Sequence, residues 1–175
     1  MIRFTISCLL IILLVFQGMA MSLLPAKIAY SELLMTPHWV LCFVLIIAIF
    51  FDKDDTYHCV WYGMIFGLLI DVVYTGVLGV YMVTYTIVAY VIHGVHKWVH
   101  ETFFVSLLLA MAGVGLADAV LYIIYSFVQI TEMPWWNYIV LRLVPTILAN
   151  VVFFVFLYPL MKNRVERWSD MWKST

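Results

Sequence analysis

Charge is what this sequence has least of. Asp, Glu, Lys and Arg together make up 11% of its 175 residues, and the formal net charge is -1. That balance gives no reason to expect a nucleic-acid partner, because there is no basic surface from which phosphate contacts could release counterions. Cysteine is scarce too: Cys8, Cys42 and Cys59 are odd in number, lie in or beside apolar runs and form no CxxC. A disulfide framework or a zinc module does not fit that pattern, and the three read as small buried hydrophobes. Also missing are HExxH, GxSxG, a Walker loop and a dinucleotide fingerprint, the signatures of hydrolytic and nucleotide chemistry. The chain reads as a non-enzyme, and the pattern implies no cofactor.

What the sequence does hold is apolar surface. Hydrophobic residues are 66% of the chain, and mean hydropathy is +1.08. A soluble fold of this size buries only about two thirds of its surface, so the expected class is an all-α integral membrane protein. Six spans are predicted, about 4–24, 38–51, 57–72, 77–96, 101–129 and 136–161. The second is short, ~21 Å of a ~30 Å hydrocarbon core. It is expected either to begin earlier, with Ser31 as cap and Pro37 as a kink, or to sit in a thinned bilayer. Arg3 and the run Phe4–Phe16, followed by Gly18-Met19-Ala20, imitate a secretory signal. The run continues to Leu24, however, which favours an uncleaved span.

The loops set an orientation. With both termini inside, Arg3, Lys53, Lys97, Lys162, Arg164, Arg167 and Lys173 are cytoplasmic and Lys27 is the basic residue left outside. Trp39, Trp135 and Trp136 then fall at outer ends and Trp61, Trp98, Trp168 and Trp172 near inner ends, as interfacial belts do. Residues 162–175 form a short tail. Its Val165, Trp168 and Trp172 predict an amphipathic helix lying on the cytoplasmic membrane surface.

Three ionisable residues interrupt the apolar segments: Asp71, Asp118 and Arg142. Each costs ~2.5–3.5 kcal/mol to insert, so each should face protein or water. Arg142 is expected to pair with Asp118 or with Asp71 as a structural ion pair, in preference to forming a substrate or proton site. Gly63 and Gly67 form a GxxxG face, Asp71 continues it one turn on, and Gly76 and Gly79 occupy the following connection. Such a face serves packing within the bundle or against a partner helix. Pro145 should kink the last span and free a carbonyl for a neighbour.

Two constellations look chemical. His93, His96 and His100, followed by Glu101, share one face if the fourth helix continues, and imidazoles so spaced can hold a metal. An interfacial or partner-facing role is the preferred reading, since His58 lies on the same side. Residues 52–55, Asp-Lys-Asp-Asp, lack the glycine and distant glutamate of a calcium loop and read as a solvated acidic turn.

The stretch from Trp61 to Asp71 and its continuation from Tyr74 to Met82 resemble the central motif of the rod-shape-determining MreD family. Residues Arg142 to Asn150, Arg-Leu-Val-Pro-Thr-Ile-Leu-Ala-Asn, resemble its last-helix segment. By position, Gly67, Asp71 and Gly79 match the first motif, and Arg142, Pro145 and Asn150 the second. The resemblance implies a non-enzymatic, multi-pass subunit of the bacterial cell-elongation complex in the inner (cytoplasmic) membrane. Partners implied are the bitopic protein MreC, the RodA glycosyltransferase, a class B penicillin-binding transpeptidase and the MreB filament. It also implies a six-helix bundle resembling the S component of energy-coupling-factor transporters. A solute-binding S component is the alternative function; the first span lacks the AxxxA face usual there.

Overall fold

In lipid every backbone polar group needs a partner within the protein, so long apolar runs resolve into helices. The computed structural model describes residues 2–23, 34–52, 56–100 and 102–173, and no strand occurs among them. The elements are α1 (Ile2–Leu23), α2 (Trp39–Phe50), α3 (His58–Tyr74), α4 (Val80–His96), α5 (Phe103–Phe127) and α6 (Trp135–Tyr138). A π-helical turn, Ile139–Leu143, joins α6 to α7 (Val144–Lys173). By length and composition, three runs among the described residues suffice to cross a membrane: Ile2–Ala20, Phe103–Phe127 and Trp135–Trp172.

α2, the short second span, is the centre of the fold. All of Val40–Phe50 is buried, and the helix touches α1, α3, α4, α5 and α7. Its 12 residues span only ~18 Å. It is short because it is enclosed by protein, and a thinned bilayer is not needed to explain it. Nor does it begin early: residues 34–38 are non-helical, so Pro37 precedes the helix and kinks nothing. Ser31 lies outside the described residues.

The Gly63–Gly67 face is filled from within. A Cβ on Gly63 would lie 3.0 Å from the Tyr85 carbonyl oxygen, and one on Gly67 would lie 2.6 Å from that of Tyr81 and 2.7 Å from the Met82 Cα. Small residues thus let the backbones of α3 and α4 touch, where lipid supplies no hydrophobic drive between helices.

The expected surface tail is part of the last helix. α7 continues unbroken past Lys162 to Lys173, and Val165 and Ser169 are buried. Ser169 Oγ donates to the Phe51 carbonyl at 2.9 Å. Trp172 receives the Arg3 guanidinium 4.5 Å from its ring centroid. The periodic face assigned to headgroups instead closes over the C-terminal end of α2 and beside α1. We call this the basic end of the bundle.

Gly67→Ala should lower stability in detergent by about 1–3 kcal/mol, because the added methyl meets backbone that cannot rotate away. Gly76→Ala, with nothing within 4 Å of its Cβ position, should unfold like the parent. Thermal unfolding of both purified variants checks the contrast.

Candidate functional site

A helix that starts inside a bundle leaves its first N–H groups without intrahelical partners. At the entry to α2 the neighbouring helices supply them. Asn150 Oδ1 accepts from His38 N–H at 2.7 Å, Gln17 Oε1 from Val40 N–H at 3.1 Å, and Thr146 Oγ1 from Thr36 N–H at 3.1 Å. Asn150 Nδ2 donates back to the Thr36 carbonyl at 2.9 Å. Pro145 has no N–H to offer the carbonyl of Leu141 four residues before it. That carbonyl accepts from Leu34 N–H at 2.8 Å. Thr146 and Asn150, one turn apart on α7, thus hold the non-helical strap of chain that leads into α2.

Asp71 plays the corresponding part for α4. Its carboxylate accepts from the N–H groups of Gly79, Tyr81 and Met82 at 2.9, 3.0 and 3.1 Å. An anion at a helix N-terminus also complements the helix dipole. The loop can turn back onto Asp71 because Gly79 takes φ +95°, a left-handed conformation that favours glycine. Asp71 is therefore committed to backbone and makes no ion pair with Arg142.

Asp118 is the carboxylate that meets Arg142. The guanidinium donates from Nε and Nη2 to Asp118 Oδ1, both at 3.2 Å, and Tyr138 OH donates to Oδ2 at 3.0 Å. Tyr138 and Arg142 are four residues apart, and Arg142 lies in the π-helical turn, a local widening common at functional sites. His38 Nε2 stands 3.7 Å from Asp118 Oδ1, and its Nδ1 is 2.9 Å from Tyr85 OH. Asp118, His38, Tyr85 and Tyr138 are fully buried; the Arg142 side chain is 19% exposed. The cluster joins the 34–38 strap, α4, α5 and the π-helical turn through one carboxylate. It pairs a fully buried carboxylate with a largely buried guanidinium, an arrangement that fastens segments distant in the chain to one another.

The two constellations at the basic end are rearranged. α4 stops at His96, and His100 is exposed beyond the helix, so the three histidines do not form one helical face. Glu101 lies outside the described residues, as do 53–55. Asp52 is not solvated: it is fully buried. It accepts from Cys59 N–H at 2.6 Å and Thr56 Oγ1 at 2.8 Å, and lies 2.9 Å from His58 Nδ1.

Sequence reasoning missed His38, Tyr138, Gln17 and Thr146, and it took Asp52 for a solvated residue. Two signals pointed to some of them: the four-residue spacings Tyr138–Arg142 and Thr146–Asn150, and a lone histidine directly after Pro37 at the mouth of an apolar run.

Compared with known proteins, the chain matches the family profile described as rod shape-determining protein MreD over residues 2–165. A curated relative, the rod shape-determining protein MreD of Bacillus subtilis (strain 168), is 29% identical over 121 residues, 69% of each chain. No solved structure matches.

Arg142→Leu should cost about 3–5 kcal/mol, the penalty for stranding one buried charge. Adding Asp118→Leu should recover much of it, whereas adding Asp71→Arg should recover none. A double-mutant cycle from denaturation in mixed detergent measures both. Asn150→Ala, which orphans the His38 N–H, should cost about 1–3 kcal/mol in the same assay.

Proposed function

The chain belongs to the MreD family of rod shape-determining proteins, and on that premise we propose that it is a membrane scaffold of the bacterial cell-elongation complex. The observation that carries this reading is the family match from residue 2 to residue 165, which takes in every helix described above except the last turns of α7. The family is a shape-determining one with no known enzymatic class. In the proposed role the bundle holds MreC, the RodA glycosyltransferase and a class B penicillin-binding transpeptidase together, so that peptidoglycan is added along the rod. The protein is a multi-pass component of the cytoplasmic membrane, with both termini inside and the MreB filament met at the basic end. An arrangement of rods like that of transporter S components belongs to the same proposal.

Two features support a scaffold over a carrier. Asp71, Asp118 and Asn150 direct their polar atoms to the protein's own backbone and side chains. The small-residue face of α3 is already occupied by α4. A partner helix must then lie on the outward apolar flanks, for example that of α1 with Phe4, Ile11, Val15 and Met19. Partner contact is made by surfaces, while the polar interior keeps them in register.

The tagged protein, purified from native membranes in mild detergent, should bring down MreC with the wall synthases, identified by mass spectrometry. Recovery of an ATP-binding-cassette module with its membrane partner would overturn the scaffold reading in favour of an S component. Reporter fusions at both termini should give cytoplasmic signals.

A further inference from the structure

At the basic end a carboxylate, a thiol and an imidazole converge although they lie far apart in the chain. Asp52 follows α2, Cys59 is in the first turn of α3, and His93 is in the last turn of α4. Asp52 and Cys59 are fully buried and His93 is 1% exposed. One ligand atom from each lies within 4.8 Å of the others. Both His93 ring nitrogens are buried with no hydrogen-bond partner. A buried polar group left so calls for an explanation, and a bound ion is one. The ring is held against Tyr57, edge to face at 5.1 Å. A cavity of about 330 Å³, lined by Tyr57, Tyr90, His93, Gly94, Lys97 and Trp98, leads to it.

We propose that Asp52, Cys59 and His93 bind one divalent transition metal, of the zinc class. The mixed sulfur, nitrogen and oxygen donor set suits zinc and its first-row neighbours and not magnesium or calcium, which take oxygen ligands. On binding, the Cys59 thiol gives its proton to water and the sulfur bonds to the metal, with no change of oxidation state. Thiolate and carboxylate together balance the dication, so the buried site is neutral with an uncharged imidazole. The contacts of Thr56 and His58 with Asp52 orient the carboxylate from outside, as supporting residues do around metal ligands. Three protein ligands leave the fourth tetrahedral position for water. The metal ties the α2–α3 connection to α3 and α4. Of the three histidines that the sequence sets three and four residues apart, only His93 takes part.

The test uses the full chain, purified in mild detergent, stripped with chelator and titrated with Co²⁺. One equivalent should produce a near-ultraviolet thiolate-to-cobalt charge-transfer band that Zn²⁺ then displaces. Cys59→Ser should abolish the band, His93→Ala should weaken binding by at least about tenfold, and His100→Ala should leave it unchanged. Absence of the band in the unmodified protein overturns the proposal without reliance on any variant's folding. Its persistence in Cys59→Ser overturns it equally, by assigning the metal to another thiol.

Discussion

The need of buried peptide groups for hydrogen-bond partners shapes this protein more than any side-chain chemistry. Away from water, an unpartnered N–H costs as much as a lost hydrogen bond. α2 begins in the interior, and α4 begins beside a buried carboxylate. Gln17, Thr146, Asn150 and the Leu141 carbonyl answer the first need, and Asp71 the second. Each of these hydrogen bonds also fixes where one chain segment sits against another. The residues of the two MreD-like motifs thus act first on backbone geometry.

Electrostatics supplies the second constraint. A lone Asp118 or Arg142 would be expelled from the interior or would draw water into it. Paired, with Tyr138 on the other carboxylate oxygen, they fasten the π-helical turn to α5. Pairs of this kind add little net stability over apolar packing, yet breaking one is costly. Their value lies in selecting one arrangement of helices that are otherwise coated in interchangeable apolar side chains.

Much of this architecture was legible from periodicity and composition. The positions of the helices follow from apolar runs, and the small-residue faces from glycine spacing. The alternative partners of Arg142 followed from the cost of charge in lipid. Hydropathy could not tell a lipid-facing helix from one buried in protein, because both are simply apolar; α2 therefore read as a weak span when it is the core. Asp52 was read as solvated because its neighbours in sequence are charged, while its neighbours in space are the N–H of Cys59 and the ring of His58. Similarly, Val165, Trp168 and Trp172 show the right period without revealing which surface they cover.

The enclosure of α2 has a consequence for biogenesis. Chains are made from the N-terminus onward, so α2 leaves the ribosome before α3, α4, α5 and α7, the later helices that surround it. At 12 residues it is too short for stable independent insertion, since a spanning helix needs about 20. The native centre therefore cannot form sequentially behind the ribosome. It closes when α7 arrives with Thr146, Asn150 and Ser169, whose hydrogen bonds to the segments flanking α2 span more than a hundred residues of chain.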